Sequence, residues 1–164
     1  MMHRFDPFDQ SFYEYELEIS EQEIAQVETM LKSINKTNNF TMKTTFDSIN
    51  VLSLPLLKNL REQIIKILDG HNLLLDNNWA QLYNEDESHP LHSHGLEGKS
   101  GILYLKSNAT QETIFYSPAF DPYVHSFKKN HLLLYPSHIP HEVKSLKTNE
   151  SRLIIAFNTR KTKK

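Results

Sequence analysis

From Asn78 onward the chain breaks into short β-rich runs separated by polar turns, and that spacing restricts the folds open to it. The runs are Trp79–Tyr83, Gly101–Leu105, Thr113–Tyr116, His131–Tyr135 and Arg152–Asn158, with Glu142-Val143-Lys144 as a shorter addition. Strands at this spacing predict an all-β sandwich or barrel. The last run puts Leu153, Ile155 and Phe157 on one face and Arg152, Ile154, Ala156 and Asn158 on the other. Both faces are mostly apolar, so this strand is expected to be buried on both sides.

The front half has a different texture. Residues 11–19 alternate apolar and charged side chains, the pattern of an edge strand with one wet face. Ser20, with Glu23 three residues on, forms a capping box that starts a helix. Ile24, Val27, Met30, Leu31 and Ile34 continue it at helical spacing. Asn35 to Asn39 is polar and reads as a loop. A second helix is expected from about Pro55 to Asp69, with Pro55 in its first turn and Gly70 as its C-terminal cap. Helices first and strands second predict helices packed on the outside of a sheet structure. No chemistry is visible in either helix.

At 164 residues the chain is expected to form a single domain, with helical support over about 1–75 and the β core over about 76–160. A net charge of −2 argues against a basic nucleic-acid surface as the main feature and leaves local basic patches open. There are no cysteines, which excludes disulfides and thiolate metal sites, so any metal site must use His and oxygen ligands. No apolar run reaches the roughly 18–20 residues of a membrane span. The N-terminus lacks the apolar region of a signal peptide, and a cytoplasmic location is the default expectation. The tail Arg160-Lys161-Thr162-Lys163-Lys164 reads as a frayed, solvated end.

Against this background the histidines are informative. His92 and His94 stand one residue apart between two predicted strands. On a strand, alternate residues share a face, so both can converge on one ion. His141 follows 47 positions after His94, just past the apolar run His131–Pro136. Neutral imidazole is the commonest side-chain ligand of transition metals. Of the nine histidines, His89 and His138 read as loop residues near this motif, and His125 and His131 as structural or exposed. Arg152 lies 11 residues beyond His141. Burying an unpaired guanidinium is costly, so it needs an anionic partner. Two partners are open: a local acid such as Glu150, or a carboxylate ligand near the metal.

Four pieces in order, His92-Ser93-His94, Ser100 to Leu105, Pro136 to His141, and Arg152 through Phe157-Asn158, resemble the Fe(II)- and 2-oxoglutarate-dependent oxygenases. The likeness is strongest to a small bacterial and phage branch with an HxH…H…R pattern, and it covers roughly residues 79–159. The resemblance implies a mainly β fold with supporting helices, a double-stranded β-helix or jelly-roll. It also implies Fe(II) held by His92 and His141, and Arg152 as the clamp for the far carboxylate of 2-oxoglutarate. Tyr104 matches a tyrosine that often shares that carboxylate, with core packing as its alternative role. Tyr83 and Asn158 are weaker candidates for lining the pocket. His94 stands where most members have Asp. Three neutral histidines would leave the site one negative charge short of the usual two-His-one-carboxylate triad. The activity implied is decarboxylation of 2-oxoglutarate coupled to C–H oxidation, with a small molecule or a peptide as substrate.

Two other readings stay open. His92, His94 and Glu97, followed by Pro136 and His141, approximate the two metal motifs of a cupin, although Glu97 comes one residue early and His138 takes a glycine position. A cupin-type dioxygenase or isomerase has no special use for Arg152 or Tyr104. The other reading is a non-catalytic jelly-roll binding module. The sequence specifies neither substrate nor oligomeric state, a homodimer included.

Overall fold

The computed structural model describes residues 1–35, 41–107, 112–145 and 151–162. Its strands are β1 (Met2–Phe5), β2 (Phe12–Glu16), β3 (Lys43–Thr44), β4 (Leu73–Tyr83), β5 (His89–His92), β6 (Lys99–Lys106), β7 (Thr113–Ser117), β8 (Phe120–His125), β9 (His131–Pro136), β10 (His141–Val143) and β11 (Arg152–Lys161). Two helices, α1 (Glu21–Ser33) and α2 (Lys58–Gly70), precede most of them. The strands form a seven-stranded sheet, ordered β1-β2-β9-β6-β11-β4-β3, and a four-stranded sheet, ordered β5-β10-β7-β8. Every pairing is antiparallel. This is the jelly-roll expected from the sequence.

Period-two alternation sorts the core into two layers. Leu153, Ile155 and Phe157 of β11 join Leu132 and Leu134 of β9 and the apolar stripes of α1 and α2 on the outer face of the large sheet. Ile154 and Ala156 face the other way, with Leu133, Tyr135, Phe115 and Val143, into the space between the sheets. The central strand is thus buried on both faces, as its composition predicts. Gly101 lets β6 cross Phe157 of β11: a Cβ there would lie 2.1 Å from Phe157 Cζ.

Helix α1 begins as its capping box requires, with Ser20 Oγ accepting from the Glu23 amide at 3.2 Å and Glu23 Oε2 accepting from the Ser20 amide at 2.8 Å. The second helix starts later than expected, because Pro55–Leu57 forms a separate 3-10 turn. Gly70 lies inside α2, and Asn72 takes the positive φ of 55° expected of a cap glycine. The alternating segment at 11–19 is also not an edge strand. It forms β2, which lies between β1 and β9. Its Glu14 is buried, paired with Lys128 Nζ at 2.6 Å. An unexpected strand, β1, takes the edge, and β3 takes the opposite one, so the front half contributes strands as well as helices. Strands β5 and β8 were also not anticipated. Of the loop expected at Asn35 to Asn39, residues 36–39 lie outside the described residues, as does the end of the basic tail at 163–164.

Candidate metal centre

β5 forms one edge of the small sheet, which is where its Pro90, lacking an amide hydrogen, is tolerated. Pairing with β10 sets His92 directly opposite His141. One ladder therefore brings together two residues far apart in sequence and points both rings the same way. Their ring centroids are 4.3 Å apart. His94 follows in the loop after β5, where its amide donates to Ser137 O at 2.9 Å. Gly95 turns the chain away with φ of 106°, a conformation glycine adopts freely. The His94 ring lies 5.0 Å from that of His92 and 5.1 Å from that of His141. One nitrogen from each of the three comes within 4.8 Å of the others.

The second nitrogen of two of these rings is already held. His92 Nδ1 lies 2.8 Å from Pro90 O, and His141 Nδ1 lies 3.2 Å from Ile139 O. A carbonyl only accepts, so both Nδ1 atoms carry the hydrogen and leave the lone pair on Nε2. Outer contacts of this kind fix ring orientation in metal sites. Burial pulls the pKa of His94 down to about 4 and lowers those of His92 and His141 as well. All three are therefore neutral near pH 7 and available as ligands.

Across the pocket stands Arg152, the first residue of β11 and fully buried. It pairs in register with Tyr83 of β4. Its guanidinium carbon lies 5.3 Å from the Tyr83 ring centre and 5.6 Å from that of Tyr104. Nη2 donates to Thr113 Oγ1 at 3.0 Å, and the Tyr104 hydroxyl meets the same oxygen at 3.0 Å. Nε and Nη1 are buried with no partner. No acid pairs with Arg152 among the described residues. Glu150, the local partner considered from sequence, lies outside them. Burial raises the phenol pKa values of Tyr83 and Tyr104, with the Arg152 charge opposing the rise.

His92, His94, His141, Arg152 and Tyr83 line one pocket, with a free volume of about 20 Å³. Tyr104 lies behind the guanidinium rather than on the pocket wall. Asn158 stands outside, where its Oδ1 accepts from Ser100 Oγ at 2.9 Å. His138 is exposed on a separate outer groove beside Lys99. Trp79, Gln81 and Tyr135 also line the wall without having been marked as site residues by the sequence, and His89, expected in a loop near the motif, instead begins β5 and lines it too. Trp79 and Gln81 share the β4 face of Tyr83 at period two, so that signal was present. His89 stacks on His92 at 3.9 Å, and burial pulls its pKa down to about 3. Thr113, which ties Arg152 to Tyr104, carries no sequence signal.

No family model matches the chain, and no curated protein matches it in sequence. Solved structures do match its fold. HygX from Streptomyces hygroscopicus, with nickel, 2-oxoglutarate and hygromycin B bound, superposes at TM-score 0.69 and 11% identity, covering 93% of this chain and 84% of HygX. A prolyl-4-hydroxylase from Pseudomonas putida superposes at 0.63 and 12% identity, covering 94% of each chain. A prolyl hydroxylase from Trichoplax adhaerens, in complex with a hypoxia inducible factor peptide fragment, gives 0.62 at 14% identity, covering 90% of this chain and 82% of that one. The chain therefore has the jelly-roll fold of the 2-oxoglutarate- and Fe(II)-dependent oxygenases.

Proposed function

We propose that this protein is a 2-oxoglutarate- and Fe(II)-dependent oxygenase that couples 2-oxoglutarate decarboxylation to oxidation of a C–H bond. The carrying observation is a histidine triad and a buried arginine, without an acidic partner among the described residues, sharing one pocket. Imidazoles suit iron and its neighbours in the first transition row. His92, His94 and His141 would hold the metal, which when bound supplies the chemistry of dioxygen activation. Because His94 replaces a carboxylate, the triad adds no negative charge, and a dianionic co-substrate offsets that deficit.

Arg152 binds the far carboxylate. Nε and Nη1 are donors without a partner, and either can pair a carboxylate oxygen, with the second hydrogen of Nη2 completing the fork. Tyr83 and Tyr104 hold the guanidinium between their rings, and Thr113 sets its rotation. Ile102, Ile154 and Ala156 line the wall with apolar surface, which lowers the local dielectric and strengthens the charge pairing. The free volume of about 20 Å³ admits an ion or a water. A five-carbon dicarboxylate opens it further by turning wall side chains, a common change on binding. Asn158 has no part in this arrangement. The substrate is a peptide or a small molecule, both of which occur in complexes on this fold. A cupin-type reading leaves the buried donors of Arg152 without a role.

The test is calorimetric titration of 2-oxoglutarate into nickel-loaded protein, followed by an assay for succinate with Fe(II) and ascorbate. Saturable binding and succinate release are expected. His92→Ala and His141→Ala should each lose metal binding while keeping the wild-type circular dichroism. Absence of 2-oxoglutarate binding to the metal-loaded wild type would overturn the assignment.

A further inference from the structure

The buried polar side-chain atoms left without a partner sort by chemistry. Glu14 Oε1, His125 Nε2 and Asn130 Oδ1 lie away from the pocket, whereas Trp79 Nε1, Arg152 Nε and Arg152 Nη1 belong to residues that line it. The fully buried unpaired atoms of the pocket residues are all donors, and the imidazole lone pairs beside them are the ones a metal would take. Donors of this kind are complementary to a ligand that only accepts, and an ionised dicarboxylate is such a ligand. Arg152 accounts for one end. Trp79 is the unexplained one.

Its position separates it from Arg152. Trp79, Gln81 and Tyr83 occupy one face of β4, opposite Ala156, Ile154 and Arg152 of β11. Four residues of strand, about 13 Å at roughly 3.3 Å per residue, divide Trp79 from the Tyr83–Arg152 pair. At the Trp79 end the nearest triad member is His94, with ring centroids 5.8 Å apart. The small Ala156 side chain faces Trp79 there and leaves room beside it. Phe46 packs edge-on against the indole at 5.0 Å and restrains its rotation. Trp79 is 4% exposed, so no bulk water serves its N–H. A buried indole N–H ordinarily has a partner.

We propose that the Trp79 indole N–H donates a hydrogen bond to the metal-proximal carboxylate of the bound dicarboxylate, on the His94 side, while Arg152 grips the distal one. Trp79 is thus a binding residue for the end of the ligand that both 2-oxo acids and 2-oxo diacids share. It places a fixed donor beside His94, the position where the resembling oxygenases carry their own carboxylate. The proposal rests on the metal and dicarboxylate reading above.

The test uses zinc-loaded full-length protein and two probes, 2-oxoglutarate and 2-oxobutanoate, which lacks the distal carboxylate. A hydrogen bond to a charged acceptor corresponds to roughly tenfold or more in affinity. Trp79→Phe, which keeps the ring bulk, should weaken both probes by that factor. Arg152→Gln should weaken 2-oxoglutarate alone, and in the double variant the two losses on 2-oxoglutarate should multiply, as for separate contacts. The chain has one tryptophan, so nitrogen-15 labelling gives a single indole N–H resonance. That resonance should move downfield and exchange more slowly with solvent when 2-oxoglutarate saturates the wild type, a readout independent of whether Trp79→Phe folds. Unchanged probe affinity in Trp79→Phe, or an unmoved indole resonance at saturation, would overturn the role of Trp79 and leave the oxygenase reading standing. A wild type that binds neither probe would overturn both.

Discussion

The Tyr135 hydroxyl lies 3.1 Å from His141 Nε2, the nitrogen that would face a metal, because Nδ1 of the same ring is engaged by Ile139 O. In the absence of metal this hydroxyl donates to that lone pair. A metal entering the triad must displace it. Tyr135→Phe removes the competitor and keeps the ring that packs at 5.1 Å from His141. A net hydrogen bond contributes about 0.5–1.5 kcal/mol, so the variant should bind zinc or cobalt roughly two- to tenfold more tightly when no co-substrate is present. Competition titration against a chelating dye measures this. Weaker binding in Tyr135→Phe would instead place the hydroxyl among the groups that hold the metal.

Arg152 carries the opposite relation between function and stability. Its charge is buried with two donors unpaired, so in the ligand-free protein it costs stability. Arg152→Met offers similar bulk without charge. It should melt at the same temperature as wild type or a few degrees higher, at about 2–4 °C per kcal/mol for a chain of this size, while 2-oxoglutarate binding is lost. Marked destabilisation would reveal a counter-ion at the guanidinium.

Acid should unfold this protein early. Burial pulls His94 and His125 down to about 4 and His89 to about 3, against roughly 6.5 for a histidine in an unfolded chain. For His125 the nearby Glu14 carboxylate opposes the shift without reversing it. Between pH 6.5 and about 4 the unfolded chain therefore binds more protons than the folded one. The stability that neutral imidazoles confer is complete above pH 6.5 and is lost progressively as pH falls through that window. Each such group contributes a slope of up to about 1.4 kcal/mol per pH unit. Urea denaturation of metal-free protein from pH 7.5 to 4.5 measures the combined slope. His125→Gln, away from the triad, should reduce it by one group's share, and equal slopes in the two proteins would show that His125 is not buried neutral.

Much of this was legible in the sequence because it rests on period two. The faces of β11, the β-rich back half and the capping box of α1 follow from local patterns. The approach of His92 to His141 was expected from the jelly-roll alone, and the β5–β10 register realises it. What escaped reading depends on long-range pairing. Nothing local marks Met2–Phe5 as the edge strand beside β2, or brings His125 and Lys128 against Glu14, so the Glu14 face reads as wet. Thr113 begins a strand like any other, and only the fold sets it between Tyr104 and Arg152. Trp79 was placed on the right strand, but an unpaired indole nitrogen is visible only in three dimensions.

Two of the triad histidines and the arginine belong to different sheets. His92 and His141 lie on the small sheet, and Arg152, Tyr83 and Trp79 on the large one. A molecule anchored on the metal at one end and on Arg152 at the other is therefore also a rivet through the two layers of the sandwich. Saturating ligand at a hundred times its dissociation constant adds about 2.7 kcal/mol to the folded state. Metal and dicarboxylate together should raise the melting temperature by more than the sum of their separate effects, because only the pair joins the layers. On the proposed function, the folded fraction of this chain would follow the supply of its co-substrate, and scarcity of that co-substrate would loosen the seam that holds the sandwich closed.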